Sequence, residues 1–191
     1  MKLWLVRHAR AVIDAGVCYG ATDLPADAAG TDTAARALAT VLPQHLPVRC
    51  SPLRRCTALA DALQALRPDL VWQADARLAE MDFGCWEGRA WADIDPAEFD
   101  RWTADFSCYR CGGRESVREF MARVAAARAD ARCCGQAMAW ICHAGVIRAA
   151  QLLARGEFPT EAGAWPRGTV AYGDWQCLDW PPPDCAVQSS S

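Results

Sequence analysis

The pattern that most constrains this chain is a short apolar run that stops abruptly at a basic or imidazole side chain. It occurs more than once. Leu3-Trp4-Leu5-Val6 runs into Arg7-His8-Ala9, Val48-Arg49-Cys50 into Ser51-Pro52-Leu53-Arg54-Arg55, and Ala137 to Cys142 into His143-Ala144-Gly145. Runs this short suit buried strands, because a buried helix needs roughly ten residues or more. Segments with helical period lie between them. Ala34 to Leu42 is one, with Pro43 and Pro47 bracketing the loop that follows. Ser51-Pro52 reads as an N-cap followed by proline at the first helical position, opening a helix that ends near Leu66. Leu70 to Gln73 reads as a third strand. Glu115 to Arg132 places Val117, Phe120, Met121 and Val124 at three- and four-residue spacing, an amphipathic helix. Val146 to Ala154 is a further helix and Val170 to Leu178 a last strand. Strands alternating with helices predict a layered α/β sheet.

No internal repeat or shift in composition divides the chain. Residues 1–180 are therefore expected to form one domain, with Pro181-Pro182-Pro183 through Ser189-Ser190-Ser191 as a tail over 181–191. Asp75 to Gly113 has little periodicity but carries Phe83, Trp86, Trp91 and Phe99, so it reads as a packed, partly helical insertion over the sheet edge. Such insertions often carry site residues. Hydrophobic residues make up 52% of the chain, enough for a real core. The formal net charge of −3 supplies no global field for gripping nucleic acid or an anionic membrane, so neither partner is expected and any anion site must be local. The start, MKLWLV, is too short an apolar run for an export signal. Cys133 to Ile147, the longest uncharged stretch, is shorter than the roughly 20 residues that a membrane span needs, and the expectation is a cytoplasmic chain. Its 11 cysteines are then reduced thiols that fill core gaps. Cys108-x-x-Cys111 with Cys133 and Cys134 lacks the paired spacing of a zinc site, and no metal is expected.

In open α/β sheets ligands gather at the carboxyl ends of the strands, and three strand-to-helix junctions here put Arg7, His8, Arg54, Arg55 and His143 on one rim. His45 sits in a loop and looks incidental. Two arginines in a first helical turn oppose the helix dipole, so they need exposure or an anion. A dianionic phosphate suits guanidinium forks and helix-start N–H groups alike. A neutral imidazole can attack phosphorus to form a phosphohistidine while arginines and a second histidine neutralise the equatorial oxygens. Departure of an alkoxide then requires an acid. Glu80 is the candidate, and Asp82 and Glu87 stand open beside it. No Walker loop, EF-hand or HExxH motif offers a metal route.

Six ordered blocks carry a resemblance across nearly the whole chain. They are Leu5-Val6-Arg7-His8-Ala9, Cys18-Tyr19-Gly20-Ala21-Thr22-Asp23-Leu24-Pro25, the stretch from Cys50 to Cys56, the stretch from Leu78 to Gly88, Gly112-Gly113-Arg114-Glu115-Ser116, and His143-Ala144-Gly145-Val146-Ile147-Arg148. Together they resemble the histidine phosphatase superfamily of phosphoglycerate mutase-like fold, and within it alpha-ribazole phosphatase-type enzymes. The resemblance implies a three-layer α/β/α sandwich around a mostly parallel sheet. It also implies hydrolysis of a small-molecule phosphate ester with no metal or cofactor, the short chain favouring hydrolysis over mutase chemistry. By the same resemblance His8 is the phosphate acceptor, Arg7, Arg55 and His143 form the phosphate pocket, Glu80 falls on the proton-donor position, and Tyr19, Gly20 and Thr22 meet substrate. The implied substrate is alpha-ribazole 5′-phosphate, from cobalamin nucleotide-loop assembly. A broad-specificity histidine phosphatase, a phosphoglycerate mutase-like enzyme and a non-catalytic phosphate-binding regulator are the alternatives.

Two departures from the family pattern bear on the pocket. Ala9 and Ala144 stand where the family usually has glycine, which would strain the loop if either backbone needs a positive φ. Ala21 stands where ribazole phosphatases commonly have arginine. A rim of Tyr19, Phe83 and Trp86 favours a phosphate on a flat or apolar group, with Arg10 or Arg114 as the cations that could serve a carboxylate.

Overall fold

Five of the strand-forming runs hydrogen-bond into one sheet, and helices cover both of its faces. The computed structural model describes residues 2–168 and 170–179. Along the chain run β1 (Lys2–Arg7), α1 (Ala28–Val41), β2 (Val48–Cys50), α2 (Arg54–Leu66), β3 (Trp72–Ala74), α3 (Pro96–Ala104), β4 (Arg110–Cys111), β5 (Glu115–Ser116), α4 (Val117–Cys134), β6 (Met138–Cys142), α5 (Ala144–Ala154) and β7 (Trp175–Asp179). The sheet order is β3-β2-β6-β1-β7, parallel throughout except for β7, which closes the edge antiparallel to β1. β4 and β5 form a separate small pair.

β6 explains the layering. It is buried at every position, and its side chains alternate between two cores as strand geometry demands. Met138, Trp140 and Cys142 pack with Phe120, Val124 and Ile147 of α4 and α5, while Ala139 and Ile141 pack with Leu38, Leu59 and Leu63 of α1 and α2. The result is the expected mixed α/β fold with a mostly parallel central sheet. Among the described residues no helix is long and apolar enough to cross a membrane.

Several boundaries differ from the sequence reading, each for a local reason. α1 starts at Ala28 rather than Ala34 because the Asp27 carboxylate caps it, accepting the Gly30 N–H at 2.6 Å. α2 does not open at Ser51-Pro52. It opens at Arg54, whose N–H donates to Asp23 Oδ1 at 2.6 Å, so a distant loop supplies the cap. The third strand lies at Trp72–Ala74, and the last is confined to Trp175–Asp179. The 75–113 insertion contains three 3₁₀ turns and α3, and its Trp86, Ile94 and Phe106 join the α4/α5 core. Residues 181–191 lie outside the described residues.

Candidate active site

β1 and β6 run parallel, side by side, so the residues that follow them are brought together. The His8 and His143 ring centroids are 4.9 Å apart, in a T-shaped arrangement. His8 is only 3% exposed, and its Nδ1 lies 2.5 Å from the Ala9 carbonyl oxygen. A carbonyl can only accept, so Nδ1 carries the proton and Nε2 keeps its lone pair. Burial pushes the His8 pKa down to about 3, assisted by the Arg55 and Arg7 charges and opposed by the Ala9 carbonyl. The imidazole is therefore neutral at neutral pH, the form in which its free nitrogen can attack an electrophile.

His143 is also neutral. Its Nδ1 accepts from Arg55 Nε at 3.3 Å, and Nε2 donates to Ser51 Oγ at 2.8 Å. Burial, with the neighbouring His8 and Arg55 behind it, holds its pKa well below the ordinary value. Positive charge thus comes from arginines, and His143 orients one of them. Arg55 is fully buried and donates from its two terminal nitrogens to the Gly20 carbonyl at 2.5 Å and the Thr22 carbonyl at 2.7 Å. Gly20 and Thr22, expected against substrate, therefore meet Arg55 through their backbones and do not line the cavity. A Cβ on Gly20 would overlap the Met81 carbonyl oxygen. Arg54 points elsewhere, pairing with Asp23 near the surface.

The three candidate acids separate clearly. Glu87 is consumed in holding the 21–22 loop, accepting the Ala21 N–H at 2.8 Å, the Thr22 N–H at 2.5 Å, the Phe83 N–H at 3.0 Å and the Thr22 hydroxyl. Asp82 accepts the Gly84 N–H at 2.8 Å and pairs with Arg114. Only Glu80 lines the cavity that His8 lines. Its Oε2 accepts the Gly145 N–H at 3.0 Å from the start of α5, and a Cβ on Gly145 would overlap the Glu80 carboxylate. Gly145 is thus the glycine that the site needs. Among the described residues His45 is the only non-glycine with positive φ, so Ala9 and Ala144 are unstrained. The segment bearing Glu80 is fixed from behind by Arg123, which donates to the carbonyls of Arg77, Ala79 and Glu80 while pairing with Glu115 at 2.7 Å.

The cavity has a volume of about 630 Å³. Arg7, His8, Arg55, Glu80 and His143 line one part of it, and Phe83, Trp91, Trp102, Phe106, Phe120 and Trp165 form an aromatic wall. Tyr19 lines it too, with its hydroxyl 3.0 Å from that of Tyr172. Arg7 stacks 3.7 Å from the centre of the Tyr172 ring and donates to the Val170 carbonyl at 2.9 Å. The buried Arg7 Nε and Trp102 indole nitrogen have no hydrogen-bond partner among the described residues. Trp86, expected on the rim, is instead buried behind the wall against Phe99 and Trp102. Arg10 and Arg114 do not line the cavity; Arg148 and Arg167 do. Sequence reasoning left both without a role, although Arg148 sits one helical turn after Ala144 and so shares its face. Ser51, read as a helix cap, and Tyr172 were likewise missed. Among the described residues no group of three or more His, Cys, Asp or Glu side chains is placed to hold a metal ion.

The family model for the histidine phosphatase superfamily (branch 1) matches residues 3–189. The chain belongs to the histidine phosphatase superfamily. Solved structures agree. TTHB049 from Thermus thermophilus is 31% identical with a TM-score of 0.72, the match covering 95% of each chain. A protein described as mycobacterial hydrolase 2 is 25% identical with a TM-score of 0.79, covering 95% of this chain and 83% of that one. The mycobacterial glucosyl-3-phosphoglycerate phosphatase Rv2419c, at 24% identity and a TM-score of 0.77, shares the fold over 92% of this chain and 88% of its own. Comparison with curated protein sequences gives no significant match.

The two neutral histidines make stability depend on pH in this member of the histidine phosphatase superfamily. A histidine whose folded pKa lies below its unfolded value of 6.5 destabilises the fold as pH drops, because the unfolded chain takes up the proton first. For His8 the loss runs from pH 6.5 down to about 3, at ~1.4 kcal/mol per pH unit well inside that window. Urea midpoints should fall as pH is lowered below 6.5, and His8→Gln should flatten the slope by about one proton. A wild-type slope that His8→Gln leaves unchanged would show that His8 is not buried in its neutral form.

Proposed function

We propose that this chain is a phosphomonoesterase acting through phospho-His8. The observation that carries the reading is the pairing of a neutral His8, its Nε2 lone pair unclaimed, with guanidinium groups from Arg7 and Arg55 in one cavity. The arginines seat the phosphate dianion and neutralise its equatorial oxygens as charge builds in the transition state. His8 Nε2 then forms a bond to phosphorus as the bond to the ester oxygen breaks, and the Glu80 carboxyl delivers a proton to the departing alkoxide. The Ala9 carbonyl, already accepting from Nδ1, stabilises the positive charge that the imidazole gains. In the second half a water attacks phosphorus, Glu80 takes up its proton, and the N–P bond breaks to return neutral His8 and inorganic phosphate.

The aromatic wall bears on the leaving alcohol. Rings such as Trp91, Trp102 and Phe106 suit a flat, apolar body over a small hydrophilic one. Alpha-ribazole 5′-phosphate, a ribose phosphate bearing a flat base, is the compound that the motif resemblance favours, and the wall supports it. Ala21, where such enzymes commonly have arginine, does not line this cavity.

Three outcomes test these assignments. Rapid acid quench with a phosphorus-labelled aryl phosphate should trap a base-stable, acid-labile adduct on His8, absent in His8→Ala; label on serine or cysteine would refute the mechanism. Glu80→Gln should slow hydrolysis of a poor alkyl leaving group by roughly 100-fold or more while costing an activated aryl phosphate far less. Equal losses on both would remove Glu80 from proton transfer. Ribazole phosphate should exceed ribose 5-phosphate in kcat/KM by roughly tenfold, about 1.4 kcal/mol from base stacking. Equal values would refute the ribazole assignment and leave the phosphatase chemistry standing.

A further inference from the structure

We infer that Arg148 and Arg167 form a second anion subsite in this cavity, one that takes a carboxylate carried on the body of the phosphate ester. The inference rests on the phosphomonoesterase reading and sharpens its substrate class. Both residues line the cavity that holds His8 and Glu80, and among the described residues neither is paired with a carboxylate. Arg148 is also tied to the segment that carries Arg167. Arg148 Nε donates to the carbonyl of Gly168, the residue directly after Arg167, at 3.3 Å.

Arg148 comes from a helix and Arg167 from the loop that leads toward β7. Arg148 stands in the second turn of α5, whose first turn supplies Ala144 and Gly145 to the same cavity. Arg167 follows a 3₁₀ turn at Ala162–Ala164 and then Trp165, whose ring packs against Phe106 at 6.2 Å and Phe120 at 6.4 Å between centroids. Arg167 thus follows the wall closely in the chain and is itself exposed, whereas Arg148 is partly buried.

Charge balance points to the ligand. Four guanidinium groups line the cavity, from Arg7, Arg55, Arg148 and Arg167, against the single carboxylate of Glu80. With Glu80 holding the proton that it delivers, a phosphate dianion leaves two positive charges without a partner, and even an ionised Glu80 would leave one. Arg148 is half-buried, and burial disfavours its charged form, with Arg7 adding to that effect and Glu80 opposing it. A guanidinium that has lost water without gaining an anion is costly, and a carboxylate matches its planar fork. Ribazole phosphate, whose base is uncharged, would occupy the phosphate seat and the wall but leave this pair unfilled. An ester with a flat body and a carboxylate would fill the phosphate seat, the wall and this pair together.

The test uses two esters with matched leaving groups, para-carboxyethyl phenyl phosphate and its methyl ester, and reads the ratio of their kcat/KM values. The wild-type protein should prefer the acid by about tenfold, a difference of ~1.4 kcal/mol. Arg148→Met and, separately, Arg167→Met should each bring the ratio down toward one. A wild-type ratio at or below one overturns the subsite, as does a preference that survives in both variants. Turnover of the methyl ester by the wild-type protein shows that the phosphatase reading stands in either case. Failure of the wild-type protein to hydrolyse either ester overturns that reading, and the subsite with it.

Discussion

Arg55 has no exposed surface, yet no carboxylate reaches it among the described residues. A buried guanidinium in that condition would ordinarily cost several kcal/mol. Here the cost is offset by the carbonyls of Gly20 and Thr22 and by His143 Nδ1, which accept three of its N–H bonds without cancelling its charge. Much of the surrounding structure follows from keeping those acceptors in place. Glu87 pins the loop that presents the two carbonyls, Gly20 lets that loop lie against Met81, and Ser51 holds the far side of His143. The uncancelled charge lowers the proton affinity of His8 and awaits an anion, which is preorganisation bought at the expense of stability.

A second support runs from α4 to the acid. The capping box of Ser116 and Glu119 starts the helix at a defined residue, which places Arg123 beneath the 77–80 segment. Arg123 and Glu115 then fix the backbone on either side of Glu80, and Gly145 at the head of α5 receives its carboxylate. His8 and Glu80 are thus carried by different segments, and Arg55 and Arg123 spend their hydrogen bonds on the backbone and imidazole groups around them. Arg148, with one carbonyl partner at 3.3 Å, and Arg167 have no carboxylate partner among the described residues, and this sets them apart from Arg123, which pairs with Glu115.

The sequence revealed most about residues tied to regular structure. Arg7, His8, Arg55 and His143 were legible because each follows an apolar strand, and parallel pairing leaves little freedom in where such residues point. Ser51 was misread because Ser-Pro before a helix is an ordinary cap signal, whereas the cap here comes from Asp23, distant in sequence. Gly20 and Thr22 lay in the right block but act through backbone atoms, which side-chain chemistry does not disclose. Glu80 was named from the sequence, but setting Asp82 and Glu87 aside needed coordinates, since the three lie close in the chain and differ in what their carboxylates already hold. Trp102, Trp165 and Arg167 come from segments with no clear period in the sequence, where nothing says which way a side chain faces, and Tyr172 was read as part of a strand that begins only at Trp175.

The account turns on a single protonation state, His8 neutral with its proton on Nδ1 and its lone pair on Nε2. Long-range nitrogen–proton correlation NMR of the imidazole rings reads tautomer and charge together. His8 is predicted to show the Nδ1–H tautomer at neutral pH and to remain uncharged on acidification far below 6.5, in keeping with a pKa of about 3. An Nε2–H tautomer, or a His8 titration midpoint near 6.5, would contradict the account at its centre.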